Sequence, residues 1–266
     1  QCHDAPKKHR IGSYFNASAH ATMHKGHASS TSCYPCHSGT ALVKYIDNKS
    51  NPGYSLTADG TNPVSCSVCH DPHGNSNPNH LRTVSFDSTL NGYIPAPGDG
   101  GKGQLCMNCH HSRYDVRARV TNTPPYYGFV NRYGPHYSPQ ADMFYGTMGY
   151  EYGDSLVAGL RSHAGVEDGC VTCHMQERVN GSSVQSNHEF TMKDSTGDFV
   201  GVCQKCHGPI TSFDDIKASY DYDGNGKVEG VETEIAGLLT RLKAKLPIDV
   251  ATGEPTTASK DSLLVK

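Results

Sequence analysis

The sequence contains no tryptophan and few large apolar residues. Leucine, isoleucine, valine and phenylalanine number 13, 7, 18 and 7, which is 17% of the 266 residues. So low a share is typical of disordered chains when the net charge is large. Here the formal net charge is only −3, and 18% of the residues are charged. The chain therefore lacks both the apolar content of an ordinary core and the charge of a typical disordered protein, and we expect another kind of group to supply its core.

The sequence also lacks a strong net charge, long apolar segments and a signal-peptide pattern, and each absence argues against a class of protein. The near-neutral charge argues against nucleic acid as a partner. No segment approaches the roughly 18 consecutive apolar residues of a transmembrane helix, so we expect no transmembrane segment. No signal-peptide pattern is present at the N-terminus, and we expect a mature, soluble product or a piece of one.

Cysteine and histidine are abundant by contrast, with 11 and 16 copies. Ten of the cysteines form five C-x-x-C-H motifs: Cys33, Cys36 and His37; Cys66, Cys69 and His70; Cys106, Cys109 and His110; Cys170, Cys173 and His174; Cys203, Cys206 and His207. This spacing is the attachment signature of c-type haem. Two thiols three positions apart on a helical turn can add to the two vinyl groups of one porphyrin, and the next residue can bind the iron. Zinc knuckles and redox disulfides also use C-x-x-C, but neither requires the histidine.

On these five motifs, which extend from Cys33 to His207, the chain resembles the multihaem c-type cytochromes. The resemblance implies a fold of mostly coil with short α-helices, organised around a stack of covalently bound haems. We expect short helices at the motifs and loops between them, and we assign residues 1–210 to this multihaem region. The haems would replace the missing apolar side chains as the core.

A sixth haem is a further expectation. Cys2 and His3 match the second half of a C-x-x-C-H motif whose first cysteine would lie before residue 1. The alternatives are an unpaired cysteine near the terminus and a haem held by a single thioether bond. The predicted cofactors are thus five or six haems c.

Eleven histidines lie outside the motifs, which is more than five distal iron positions require. The candidate distal ligands are His20, His24, His27, His73, His111, His136, His163 and His188. His73 and His111 follow a motif histidine too closely to reach the same iron, so we expect them to serve neighbouring haems. The segment around His188 resembles the distal-histidine stretch of related cytochromes. The sequence does not indicate which histidine pairs with which iron.

A second metal site is predicted after the last motif. Residues 221–232 match the EF-hand loop pattern D-x-[DN]-x-[DN]-G-x5-E. The predicted Ca2+ ligands are Asp221, Asp223, Asn225, the carbonyl of Lys227, Glu229 (through water) and Glu232. Leucines at helical spacing follow the loop, so residues 211–266 are predicted to be an EF-hand-like helical tail. The alternative is an Asp/Gly-rich turn that binds nothing.

These features favour electron transfer through bis-histidine haems, because six-coordinate iron offers no open position for a substrate. The chain resembles the extracellular cytochromes of metal-respiring microbes, some of which polymerise into filaments. The expected partners are redox proteins, extracellular electron acceptors or further copies of the chain. The expected location is extracellular or on the cell surface, with the periplasm as the alternative. Two other classes stay open: a multihaem oxidoreductase, such as a nitrite or sulfur-oxyanion reductase with one open haem, and a zinc-and-disulfide structural protein.

Overall fold

A computed structural model describes residues 7–22, 33–48, 52–53, 62–71, 73–86, 100–112, 138–147, 162–180 and 183–246. Within these residues the chain is mostly coil with short helices and two small hairpins, as the sequence predicts. The α-helices are α1 (Lys7–Ala17), α2 (Tyr34–His37), α3 (Gly39–Asp47), α4 (Cys66–Cys69), α5 (Gln104–Met107), α6 (Gln140–Phe144), α7 (Cys170–His174), α8 (Gln204–His207) and α9 (Val231–Lys245). No helix in the described ranges is both long and apolar enough to span a membrane.

Single 3-10 turns and two antiparallel hairpins complete the described structure. The 3-10 turns cover Ala19–Ala21, Pro78–His80, Gly101–Gly103, Ser162–Gly165 and Phe213–Asp215. The first hairpin joins β1 (Glu177–Asn180) to β2 (Ser183–Ser186), with Val179 opposite Val184. The second joins β3 (Lys193–Asp194) to β4 (Gly197–Asp198), with Lys193 opposite Asp198.

The first two motifs are brought together by α3. This helix buries Ala41, Leu42 and Tyr45, and it packs against both α2 and α4, which contain motif cysteines. A Cβ atom at Gly39 would collide with the carbonyl of Pro63 and the side chain of Val68. A glycine is therefore needed for this close approach, which places the first motif beside the second.

The third and fourth motifs share a small apolar cluster. Met107, Ala141 and Tyr145 are buried together, and Phe144 and Cys170 pack against them. Met107 and Ala141 are at most 1% exposed. The cluster thus includes Cys170 of the fourth motif and Met107, which lies between the two cysteines of the third motif. The apolar packing that the sequence does supply is thus used to position two of the C-x-x-C-H motifs.

A glycine turn also joins the third and fourth motifs. The backbone of Gly103 lies so close to the segment before α7 that an added Cβ atom would be 2.7 Å from the Asp168 carbonyl oxygen and 2.8 Å from the Cys170 nitrogen. Lys102 completes the contact, since its backbone N–H and its Nζ both donate to the Asp168 carboxylate, at 3.1 and 2.5 Å. These contacts fix the start of α5 against the start of α7.

The chain divides into two compact units, residues 1–191 and 192–266. The second unit contains the fifth motif, whereas the division predicted from the sequence falls after residue 210. Hydrogen bonds within the unit explain the difference. The Asp198 carboxylate accepts from Ser212 Oγ and the Phe213 amide, both at 3.0 Å, and Gln204 Nε2 donates to the Ile210 carbonyl at 2.8 Å.

The C-terminal unit ends, within the described residues, with the predicted helix α9. Glu232 and Glu234 lie in its first turn, and Lys243 and Lys245 lie in its last, an arrangement that complements the helix dipole. Its start is held by Asp214, whose carboxylate accepts hydrogen bonds from the amide and hydroxyl of Thr233 at 3.2 and 2.9 Å. The periodic apolar residues of the helix are exposed: Ile235, Leu238, Leu239 and Leu242.

Candidate functional site

Each C-x-x-C-H motif folds as a single helical turn. The backbone N–H of the motif histidine donates to the carbonyl of the first motif cysteine at His37, His70, His110 and His207, with distances of 2.8–3.1 Å. The fourth motif is contained entirely within α7. None of the ten motif cysteines forms a disulfide within the described part of the chain. One turn of helix thus contains the two cysteines and the histidine of each motif.

The third motif lies between the first and the fourth. Cys36 Sγ contacts the Asn108 carbonyl at 3.7 Å, and Cys109 Sγ contacts the Pro35 carbonyl at 3.6 Å, so α2 and α5 approach through their motif residues. On the other side, the Cys106 thiol hydrogen-bonds to Cys170. Three attachment sites that are 60 or more residues apart in sequence thus meet at one place.

Two buried thiols at this place, Cys106 and Cys109, have a raised pKa. The hydrogen bond to Cys36 and burial raise the pKa of Cys109, and the hydrogen bond to Cys170 and burial raise that of Cys106. Burial is also the main cause that raises the pKa of Cys69 to about 11. Accepting the bond from Cys106 lowers the pKa of Cys170. Thiols with a raised pKa differ from the low-pKa thiolates typical of catalytic cysteines.

Several histidines have the hydrogen bond that an iron ligand needs on its other ring nitrogen. A carbonyl oxygen can only accept, so the ring nitrogen beside it carries a proton, and in the neutral tautomer with this proton the lone pair is on Nε2. Nδ1 contacts a carbonyl oxygen in the following cases: His70 to Asn79 at 2.9 Å, His111 to Ser112 at 2.7 Å, His174 to Phe190 at 2.9 Å, and His188 to Ser186 at 3.2 Å. This second hydrogen bond is usual for metal-binding histidines, because it fixes the tautomer and the ring orientation.

Two pairs of imidazole rings face each other across a gap. The ring centroids of His70 and His188 are 6.3 Å apart with 30° between the ring planes. Those of His20 and His110 are 5.9 Å apart with 86° between the planes. In each pair, one member is a motif histidine and the other is a predicted distal ligand.

Burial favours the neutral form of one ring in each pair. Desolvation is the main cause that lowers the pKa of His110 and of His188. Neutral imidazole is the form that binds a metal. The environment of these rings therefore favours the ligand form near neutral pH.

His111 has a nitrogen whose hydrogen-bonding capacity is unused. The side chain is 3% exposed, and its Nε2 atom is buried without a hydrogen-bond partner in the described part of the chain. Its neighbour Ser112 is fixed by the buried carboxylate of Asp142, which accepts from the Ser112 amide at 2.6 Å and hydroxyl at 2.5 Å. Buried polar atoms without a partner are rare and call for an explanation. An iron ligand that follows directly after a motif histidine would be one.

The structure shows no iron-ligand geometry at the other predicted distal ligands that it describes. His73 and His163 are exposed, and His163 lies in the 3-10 turn Ser162–Gly165. Cys2, His3, His24, His27 and His136 lie outside the described residues. For these positions the sequence-based predictions stand as they were.

Sequence reasoning missed Phe190. Its backbone has φ of +62°, which is rare for a residue other than glycine. Its carbonyl is the acceptor for His174, and its ring contacts His20 at 4.8 Å and His188 at 6.1 Å between centroids. One strained residue therefore contacts three candidate iron ligands. No sequence pattern predicts this role of Phe190, because its left-handed backbone conformation is visible only in the structure.

The predicted calcium loop brings three carboxylates together, but one of them differs from the prediction. Oxygen atoms of Asp221, Asp223 and Glu234 lie within 4.8 Å of one another. Glu232, which the pattern places at the closing position, is exposed and is not part of this group. Glu234 is 1% exposed and accepts hydrogen bonds from the amides of Tyr222, Asp223 and Glu229 at 2.9, 3.1 and 3.0 Å. The helix α9 begins at Val231, and Glu234 in its first turn is directed towards the loop.

The rest of the loop follows the pattern. Gly224 and Gly226 have φ of +72° and +90°, so the sharp bend expected at Gly226 is present. Their amides donate to the Asp221 carboxylate at 2.6 and 2.8 Å. The Gly226 amide is the main cause of the lowered pKa of Asp221, and the Glu229 amide is the main cause of the lowered pKa of Glu234. Both groups are therefore carboxylates at neutral pH, which is the form that Ca2+ binds.

Other predicted loop ligands are placed as follows. The Asn225 side-chain amide donates to the carboxylates of Asp223 at 3.1 Å and Glu229 at 2.6 Å. These hydrogen bonds hold both carboxylates close to Asn225. The Lys227 amide donates to the Asn225 side-chain oxygen at 2.9 Å. From the helix, Arg241 Nη1 donates to the Asp223 carbonyl at 2.7 Å and fixes the loop against α9.

Comparisons of the chain with protein-family models, with curated proteins and with solved structures find no match.

Proposed function

We propose that this protein carries c-type haems on its five C-x-x-C-H motifs and transfers electrons between them. The observation that carries the proposal is the fivefold recurrence of the motif, with a histidine after each C-x-x-C pair and a single helical turn at each site. In each turn the two thiols would form thioether bonds and the histidine would bind the iron. Bound haem supplies one-electron iron chemistry, and the chain supplies position, axial ligands and electrostatics.

The residues present fit this cofactor. Neutral imidazoles with carbonyl-bound Nδ1 atoms, the facing ring pairs and the buried, unpartnered Nε2 of His111 all suit iron ligation. The contacts among the first, third and fourth motifs favour a stack in which the third haem adjoins both of the others. Close haem spacing is what rapid electron transfer needs.

An electron carrier is favoured over a multihaem reductase because candidate axial ligands exceed the number of irons. If every iron has two histidines, none offers a coordination site to nitrite or a similar substrate. The purified protein tests this by electron paramagnetic resonance (EPR) and by addition of carbon monoxide to the reduced form. We expect only low-spin haem and no carbon monoxide binding. A high-spin signal together with binding of nitrite or carbon monoxide would instead establish a reductase.

We also propose that the loop from Asp221 binds one structural Ca2+, with Asp221, Asp223 and Glu234 as its carboxylate ligands. The match to the EF-hand pattern and the clustered carboxylates support this assignment. Weak calcium sites of this kind suit compartments where calcium is abundant. This requirement, together with haem attachment outside the cytoplasm, favours an extracellular or cell-surface location, with redox proteins, extracellular acceptors or further copies of the chain in a filament as partners.

A further inference from the structure

We infer that His188 is the distal ligand of the haem on the second motif, and that His20 is the distal ligand of the haem on the third. The corresponding motif histidines are His70 and His110. This assignment rests on the proposed function, because it concerns haems that the proposed function requires. It goes further by pairing particular histidines, which the sequence leaves open.

The spacing within each pair is that of two imidazoles on one metal ion. Metal–imidazole bonds are about 2.0–2.1 Å long, so two rings on opposite sides of one ion have centroids roughly 6 Å apart. The observed separations are 6.3 Å for His70 and His188 and 5.9 Å for His20 and His110.

Hydrogen bonds at the first pair occupy Nδ1 of each ring, so that Nε2 is the nitrogen available to the metal. The Nδ1 atoms of His70 and His188 donate to the carbonyls of Asn79 and Ser186. The two carbonyls belong to different segments, and each fixes its ring independently. In the neutral form of both rings the lone pair is therefore on Nε2, which is the tautomer needed for two ligands of one iron.

The second pair is fixed in a similar way from other parts of the chain. His110 Nδ1 contacts the side-chain oxygen of Gln140 at 3.2 Å, and the His110 carbonyl accepts from the Ala141 amide at 2.9 Å. The opposite ring, His20, follows α1 in the turn Ala19–Ala21. The ring of Phe190 packs edge-on against it at 4.8 Å.

One set of contacts joins the two distal histidines. Arg178 Nη1 donates to Glu189, next to His188, at 3.1 Å, and the same guanidinium lies over the ring of Tyr14 in α1 at 5.5 Å. Phe190 touches both distal rings. The helix before the first motif and the segment after the fourth are thus packed together, and each supplies a ligand to a motif between them.

The two pairs predict different spectra, because their ring planes are oriented differently. Near-parallel axial imidazole planes give low-spin ferric haem a rhombic EPR signal, whereas perpendicular planes give a signal with a large maximum g value. The 30° pair predicts the first type for the second haem, and the 86° pair predicts the second type for the third haem. Loss of one distal histidine should therefore remove one spin from one identified signal.

The test uses His188→Gly and His20→Gly in the full-length, haem-loaded protein. We expect each variant to keep the wild-type haem count, since the thioether bonds are untouched, and to bind one carbon monoxide per chain when reduced. His188→Gly should lose one spin of rhombic signal, and His20→Gly one spin of large-g signal. Added imidazole should restore the low-spin state by refilling the ligand position, which a misfolded variant would not do.

Removal of one haem identifies the iron that each histidine serves. In a Cys66→Ala/Cys69→Ala background the second haem is absent, so His188→Gly should create no carbon monoxide site. In a Cys106→Ala/Cys109→Ala background it should still create one. His20→Gly should behave in the opposite way. If a background protein fails to accumulate, the EPR signals of the single variants decide the same question.

The outcomes separate this inference from the proposed function. A wild-type protein without covalent haem would overturn both. A haem-loaded His188→Gly variant that stays low-spin without carbon monoxide binding would overturn the pairing alone. Carbon monoxide binding by His188→Gly in the background that lacks the second haem would also overturn it, because His188 would then serve another iron.

Discussion

The carbonyl oxygen of Phe190 accepts the hydrogen bond from Nδ1 of His174 at 2.9 Å, although Phe190 adopts the left-handed backbone conformation with φ of +62°. Such strain persists only where surrounding structure over-determines it, and it is concentrated at functional sites. Here the strained conformation directs a carbonyl to one motif histidine while the ring of the same residue contacts His20 and His188. We interpret Phe190 as a positioning residue for three of the proposed iron ligands.

Two substitutions at Phe190 should distinguish the effect of its backbone conformation from the effect of losing its aromatic ring. Phe190→Val should destabilise the protein by at least about 1 kcal/mol relative to Phe190→Leu, because β-branched residues are disfavoured at positive φ. If the strained turn relaxes, His174 loses its acceptor, and the reduction potential of the fourth haem should rise. Thermal unfolding and a spectroelectrochemical titration measure the two effects. Equal stabilities and potentials for the Leu and Val variants would argue against this role.

Gly103 should be essential for the contact between the third and fourth motifs. Gly103→Ala places a Cβ atom 2.7–2.8 Å from backbone atoms of Asp168 and Cys170, and overpacking of this kind costs about 1–3 kcal/mol. The matched control is Gly165→Ala, where nothing lies within 4 Å of the added atom. We expect a clearly lower unfolding temperature for the first variant and little change for the second. Similar unfolding temperatures would show that α5 and α7 do not need this close approach.

The calcium loop allows a direct choice between its sequence pattern and its structure. Glu234→Gln should weaken Ca2+ binding at least tenfold, because it removes a buried carboxylate from the three-carboxylate group. Glu232→Gln should leave the affinity within about twofold, since that side chain is exposed. Isothermal titration calorimetry on the calcium-stripped protein measures both. The reverse ranking would restore Glu232 as the closing ligand.

Asp215 should make the stability of the C-terminal unit depend on pH. Its carboxylate accepts hydrogen bonds from Thr211 and Ser212, and the Thr211 amide is the main cause of its lowered pKa. Because the folded pKa lies below the unfolded value of about 4, the stabilisation is present above that pH. It is lost as the pH falls through the folded pKa. Unfolding temperatures of wild type and Asp215→Asn should therefore differ at pH 6 and converge in acid. A constant difference across the range would contradict this.

Local features of the structure could be predicted from the sequence, whereas contacts distant in sequence could not. The helical turns at the motifs, the bend at Gly226 and the helix after the calcium loop each depend on a few adjacent residues. The pairing of His188 with His70 joins residues 118 positions apart, and no local pattern encodes it. The EF-hand pattern did not predict Glu234, because it assigns the closing ligand by position in the sequence. Which glutamate of α9 reaches the loop depends on how the helix is oriented relative to the loop. Single side chains, Asp198 and Gln204, connect the segment around the fifth motif to the residues after it, and no local sequence pattern predicts these contacts.

The central claim is that covalent haem replaces the missing apolar core, and haem counting tests it most directly. Full-length protein matured in a host that attaches c-type haem should give a pyridine haemochrome spectrum with at least five haems per chain, retained after denaturation because the thioether bonds are covalent. The same chain produced without haem attachment should lack native-like circular dichroism. Protein without a haemochrome spectrum, or a haem-free chain with native-like circular dichroism, would contradict the account.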